Sequence, residues 1–257
     1  MSSEILFWVS IIGFSAGFLD AIVGGGGLIM TPAMLSLFPG FEILKVMGTN
    51  RTSSIFGTSI AAWSYFRVVK IDIKVVLASA GSAMVFAVIG VQLASLIDPQ
   101  VLKIIVLVFI VFIAFYSYFK PSFGLAGNST STKNEVPINA AMVGALCGFY
   151  NGFIGPGTGI ILVFAFVTIL NMNFLRASAI SKVTNVSGDL GSWVVLLYKG
   201  LVFWPAAIPL IISNIAGSFL GSRLAILKGS RFIRVVFFTV VVFMIINLLL
   251  KLIFSTT

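Results

Sequence analysis

The chain alternates long apolar runs with short polar breaks from one end to the other. Apolar segments cover roughly 5–23, 28–38, 47–66, 75–97 and 101–119, then 138–154, 157–171, 177–198, 201–227 and 232–254. The longer ones supply the roughly 20 apolar residues that a helix needs to cross a hydrocarbon core about 30 Å thick. Five fall in each half. The second and seventh are short, and each joins its predecessor through a glycine cluster, so each pair reads as a tight hairpin or a re-entrant element. Such a pair returns to its starting side, and the other three spans of each half make an odd count, which inverts the second half relative to the first. The expected fold is an all-α polytopic membrane protein. It consists of two inverted repeats, 1–119 and 138–257, each of four to five helical segments including a glycine-broken element, joined by a linker at 120–137.

The halves repeat in residues as well as in hydropathy. Gly13-Phe14-Ser15-Ala16-Gly17-Phe18 leads into Gly24 to Gly27 and later Thr49-Asn50. Gly148-Phe149-Tyr150-Asn151-Gly152-Phe153 leads into Gly155-Pro156-Gly157-Thr158-Gly159 and later Thr184-Asn185. Six identities share one offset (148 − 13 = 135), the glycine clusters align at 132, and Gly90 with Gly221 at 131. Paired, glycine-interrupted apolar segments at corresponding places in two halves point to the binding site of a secondary transporter.

Composition agrees. The chain is 59% apolar and 9% charged with a mean hydropathy of +1.16, against about 45–50% and about 25% for soluble domains. The net charge of +9 comes from cations scattered at segment ends, such as Arg67, Lys70, Lys74, Lys228, Arg231 and Arg234. That is the placement of topology determinants, not of a nucleic-acid surface. Putting Arg67, Lys70 and Lys74 in the cytoplasm also places the linker (Lys120, Lys133), Arg176 and Lys228/Arg231/Arg234 there. Lys103, Lys199 and both termini then fall outside. The linker is rich in Gly, Ser and Thr and reads as flexible; a cytoplasmic position makes the Asn128-Ser129-Thr130 sequon irrelevant. No Lys or Arg precedes the apolar run at Ile5, so the first segment is read as retained. With Cys147 the lone cysteine and no histidine, an intrachain disulfide is impossible and a metal site or histidine relay lacks ligands. No metal and no cofactor are expected.

Four consecutive glycines at 24 to 27 each cost about 1 kcal/mol relative to alanine in a helix interior. The break frees backbone groups that cost several kcal/mol each in lipid unless something satisfies them, so it must line an interior cavity. Helices starting after Gly27 and Gly159 would aim amide hydrogens and a positive dipole end at an anionic guest. Isolated glycines such as Gly81, Gly90 and Gly217 read instead as close helix packing.

Ionisable residues inside spans are functional candidates by default. Arg51 follows Thr49-Asn50 and Lys182 precedes Thr184-Asn185, so each half sets a cation beside a polar pair. These cations either meet a bound anion, raise the local potential, or snorkel to an interface. Asp20 and Asp189 are candidates for a coupling proton or for ion pairing, Asp189 with Lys182 at i, i+7. Asn50, Asn151 and Asn185 either bridge helices or contact the ligand.

On these motifs the chain resembles the TauE/SafE sulfite exporter family, also called the toluene sulfonate uptake permease family. The resemblance rests on Gly13 to Pro32, Gly48-Thr49-Asn50-Arg51, Gly148 to Gly159, Ser181 to Asn185 and Gly200 to Trp204. It implies a multi-pass plasma-membrane permease for sulfite, sulfoacetate, aryl sulfonates or other organic anions, coupled to the proton gradient. Two positions depart from the family's usual pattern. Asn151 replaces an Asp, leaving no carboxylate there, and Arg51 replaces a Lys, turning a point cation into a planar fork.

The resulting expectation is a carrier of small anions, with its site near the midplane at Gly24, Gly25, Gly26, Gly27, Asn50, Arg51, Gly155, Gly157, Gly159, Lys182 and Asn185, and with Asp20 and Asp189 as coupling or pairing groups. Its partners are a small anion and the bilayer; a homo-oligomer is left open. The alternatives are an anion channel, a non-transporting membrane subunit, and, with less support, an intramembrane enzyme on a lipid phosphate. The enzyme reading lacks histidine and a clustered carboxylate pair.

Overall fold

The computed structural model describes residues 1–94, 96 and 135–254. The expected segment 101–119, most of the linker with its sequon, and the positions of Lys103, Lys120 and Lys133 lie outside the described residues.

All regular structure among the described residues is helical. The first half gives α1 (Ser3–Val23), α2 (Gly26–Leu37), α3 (Ile43–Phe66) and α4 (Ile73–Ala94). The second gives α5 (Glu135–Phe153), α6 (Thr158–Ile169), α7 (Phe174–Tyr198) and α8 (Trp204–Phe254). α5 starts at Glu135, so the last three residues of the expected linker are helical; Pro137 sits in the first turn, where its missing N–H costs nothing. The long α8 contains non-helical Gly229 (φ 69°, ψ −168°), inside the gap expected between 227 and 232.

Among the described residues three helices are long and apolar enough to cross a membrane: Ser3–Val23, Ile73–Ala94 and Trp204–Val240. Their outward faces carry large exposed apolar side chains, such as Phe7 and Trp8 on α1, Leu77 and Val85 on α4, and Ile208 and Ile212 on α8. These faces belong against lipid, and the chain is an integral membrane protein. By contrast α2 and α6 have 12 residues each, about 18 Å at 1.5 Å per residue, too short to span. α3 and α7 are more polar and line the interior.

Glycine governs the closest packing. Gly144, Gly148 and Gly152 of α5 lie against Ser79, Ala83 and Ala87 of α4; Gly13 and Gly17 of α1 lie against Leu210 and Asn214 of α8. The repeated glycine–phenylalanine motif thus brings backbones together, as small residues do in membrane bundles. Gly90 and Gly217 pack in this way, against Phe149 and Phe14. Gly81 does not: nothing approaches the space its side chain would occupy, because it faces outward.

The order of these contacts gives helix direction. α1 and α8 touch in rising order on both (Gly13 with Leu210, Phe18 with Gly221), as do α4 and α5. α3 follows α8, with Gly48 at Leu201 and Ser53 bonded to the Leu210 carbonyl. α4 follows α7, with Ser79 at Thr184 and Met84 at Gly191. α3 and α7 cross in opposite order, Thr52 meeting Trp193 and Ser54 meeting Asp189. So α1, α3 and the part of α8 before Gly229 run one way, and α4, α5 and α7 the other.

Candidate functional site

The glycine breaks meet in the core. α1 stops at Gly24, whose left-handed φ of 85° turns the chain and whose amide still donates to the Asp20 carbonyl; only glycine takes that conformation without a Cβ penalty. Opposite it, Gly159 comes into backbone contact with Gly24, and Gly27 lies against Pro156. A side chain at 24 or 159 would have no room.

Beside this crossing is a cleft of about 540 Å³, its open mouth included. It sits near the middle of α3 and α7, which supply Asn50, Arg51, Ser54, Asn185 and Asp189 to its wall; the two breaks supply Gly24, Gly26, Gly27, Gly155, Gly157 and Gly159. Of the residues expected from sequence, Gly25 and Lys182 alone do not line it. Gly25 faces the side chains of Val240 and Ile160, and Lys182 lies behind Asp20.

Both cations are buried, Arg51 at 4% and Lys182 at 1% exposure, so neither snorkels. The expected pairing of Asp189 with Lys182 is not made. Seven residues along one helix separate two side chains by about 10 Å, beyond ion-pair reach. Asp189 instead faces Arg51, Oδ1 to Nη1 at 3.5 Å, and Lys182 faces Asp20, Nζ to Oδ2 at 3.9 Å. Each pair joins one residue from each half of the chain. Two cations and two carboxylates leave the site neutral.

The Arg51–Asp189 pair is the hub of a network. Arg51 donates to the Asn151 side-chain oxygen, to the Asn151 carbonyl and to Ser192 Oγ. Asp189 accepts from Asn151 Nδ2 at 2.9 Å, Ser54 Oγ at 2.8 Å and Asn185 Nδ2 at 3.2 Å. Asn151 also donates to Asn185 Oδ1 at 3.3 Å, so the two amides bridge α5 and α7, and the absent carboxylate at 151 has a physical counterpart: its amide donates to Asp189, where a second carboxylate would repel it. Asn50 donates to Thr31 Oγ1 at 2.8 Å, and its Oδ1 is buried without a partner. Arg51 Nε is likewise unpartnered.

Asp20 closes the first break. Its Oδ1 accepts from the Gly26 amide at 3.3 Å and its Oδ2 from Thr58 Oγ1 at 2.9 Å, while Lys182 donates to its backbone carbonyl. A carboxylate thus meets the start of α2 and an ammonium the end of α1, each on the favourable end of a helix dipole.

Sequence reasoning passed over Ser54, Thr31, Met47, Thr158 and Asn214 as wall residues. Ser54 carried a signal: it stands 135 residues before Asp189, the offset of the repeat.

A family model for the sulfite exporter TauE/SafE matches residues 9–248. The chain belongs to the TauE/SafE family. Relatives match it along most of its length. A probable membrane transporter protein, ORF9, of Sinorhizobium sp is 33% identical over 91% of this chain and 88% of its own. A probable membrane transporter protein of Haemophilus influenzae is 30% identical over 87% and 86%, and YfcA of Escherichia coli K12, also named a probable membrane transporter protein, 31% over 90% and 83%. No solved structure matches the chain. Within this TauE/SafE member the site therefore rests on its own geometry: a neutral, buried ion-pair network beside two interrupted helices.

Proposed function

We propose that this chain is a secondary carrier for small sulfur-containing or organic anions such as sulfite or sulfonates, coupled to protons and working by alternating access between two inverted repeats in the plasma membrane. The observation that carries the reading is the cleft itself, half-way along α3 and α7, with broken backbone on one wall and the Arg51–Asp189 pair on the other. Interrupted helices at this depth are tolerated where they line a cavity, and carriers place their sites there.

Helix direction supports the inversion. The sequence-matched pairs α1 and α5, and α3 and α7, run opposite ways. The crossing of the breaks is also reciprocal: with the clusters aligned at 132, Gly24 matches Pro156 and Gly27 matches Gly159, and the contacts are Gly24 with Gly159 and Gly27 with Pro156. Reciprocal contact of that kind is the mark of a two-fold axis.

Charge balance supports proton coupling. A monoanion entering a neutral buried site brings an uncompensated charge, costing several kcal/mol; a proton taken up with it removes that cost. Asp189 is the suited acceptor, because it lines the cleft and competes with the anion for Arg51, whereas Asp20 is tied into the backbone of the first break.

The test is purified protein in liposomes, offered sulfite, methanesulfonate and sulfoacetate with and without an inward proton gradient. Gradient-driven uptake of at least one is expected. Asp189→Asn should lose gradient-driven accumulation and retain anion exchange at equal pH. Movement of cations or neutral solutes with no anion would reject the reading; downhill flux indifferent to protons would make it a channel.

A further inference from the structure

The two interrupted helix pairs are not equivalent as anion sites. At the first break, α2 begins after Gly25, and its Gly26 amide already meets Asp20 Oδ1 at 3.3 Å. At the second, α6 begins after Gly157 and no side chain caps it. The positions matching Asp20 there, by the offsets 132 and 135, are Gly152 and Gly155, neither of which can supply a carboxylate. The Thr158 amide and hydroxyl both turn back onto the Gly155 carbonyl, at 3.3 and 2.6 Å. The next two amides of α6, those of Gly159 and Ile160, have no intrahelical acceptor and follow directly on the cleft wall formed by Gly157, Thr158 and Gly159.

A second observation, independent of the helix end, points to a ligand at the same corner. Arg51 lines the cleft at 4% exposure, and its Nε is buried without an acceptor. It borders the second break directly, for a Cβ on Gly155 would stand 3.0 Å from its Nη2. Guanidinium and uncapped helix end flank one space.

We propose that the transported anion binds at the second break alone, with its oxygens shared between the α6 amides and Arg51, and that Asp20 is the chain's own built-in anion at the first. This rests on the transport reading above and sharpens it: one anion per protein, and a compact oxyanion such as a sulfonate, sulfite or carboxylate group, whose oxygens suit a planar fork and backbone amides together. Asp20 supplies the internal precedent, since it is a carboxylate held by the end of a broken helix and by a cation, Lys182.

The test gives the second break what the first already has. Thr158→Asp places a carboxylate in the first turn of α6. The variant gives up the Thr158 hydroxyl's bond to the Gly155 carbonyl and adds a charge to a neutral site, so it should melt below wild type. Its binding of sulfite and methanesulfonate, read as the anion-induced shift in melting temperature, should weaken at least about tenfold. Thr158→Val, which loses the same bond without adding a charge, is the folding control and should bind these anions as wild type does. Binding at wild-type strength by Thr158→Asp overturns the placement. Anomalous diffraction from wild-type protein soaked with selenite, a heavier analogue of sulfite, decides the matter without a variant. A single peak at Thr158 is expected; a peak at Gly26, at both ends, or at neither in protein that takes up sulfite overturns it. Absence of any anion uptake by wild type in the liposome panel is a different result, which removes the transport reading and this inference with it.

Discussion

Ser54 and Asp189, separated by 135 residues, the spacing of the internal repeat, are hydrogen-bonded to each other at 2.8 Å. Two positions one repeat spacing apart in the sequence thus meet in the core. The two positions differ in chemistry: one is a hydroxyl, the other a carboxylate, and the hydroxyl donates to it. Removing that donor leaves a buried carboxylate one hydrogen bond short, and bonds to charged groups contribute about 1.5–3 kcal/mol. Ser54→Ala should lower unfolding stability in detergent by that order, and Ser54→Asp by more, since it sets like charges side by side. A stability for Ser54→Asp equal to wild type would contradict the geometry.

The Arg51–Asp189 pair should behave as a buried unit. Removing one member of such a pair costs about 3–5 kcal/mol, because the other is left charged and uncompensated. Arg51→Met should therefore be strongly destabilising, and adding Asp189→Asn to it should restore part of the loss. Melting curves of the two single variants and the double variant form the cycle that measures this. Strict additivity would mean that the two side chains are not coupled.

Glycine substitutions should sort by place in the fold. Gly148→Ala forces α5 away from the Ala83 backbone of α4, and overpacking of this kind costs about 1–3 kcal/mol. Gly81→Ala meets nothing and should be neutral or stabilising by up to about 1 kcal/mol, the gain of alanine over glycine in a helix. Yield and melting temperature of the two variants distinguish these outcomes.

Orientation is checked by labelling. In a Cys147→Ser background, a cysteine at Lys70, exposed in the α3–α4 turn, should react with impermeant maleimide only from the cytoplasmic side. One at Lys199, exposed after α7, should react only from outside. Reaction of both from the same side would break the topology.

Much of the fold was legible in residues 1–94 and 135–254. Segment ends agree with helix ends to within a few residues, because membrane spans must be apolar and breaks in them need glycine. The Gly229 interruption of α8 fell in an expected gap for the same reason. The glycine clusters line the cleft in all but Gly25, yet the first break takes only Gly24 and Gly25: α2 starts at Gly26 and α6 at Thr158, earlier than the starts expected after Gly27 and Gly159.

What stayed illegible was pairing. Arg51, Lys182, Asp20 and Asp189 stood out as costly charges, yet spacing along one helix suggested Lys182 with Asp189, and only the crossing of α3, α7 and the end of α1 matched each cation to its carboxylate. The same holds for Ser54, an ordinary serine until the fold sets it against its counterpart, and for Gly81, which differs from Gly148 only in the side of the helix it occupies. Hydropathy and glycine placement act locally, through the cost of exposing backbone to lipid, so the sequence by itself determined the helices and where they break. Partners across 100 or more residues depend on which helix faces cross, and that tertiary structure alone decided.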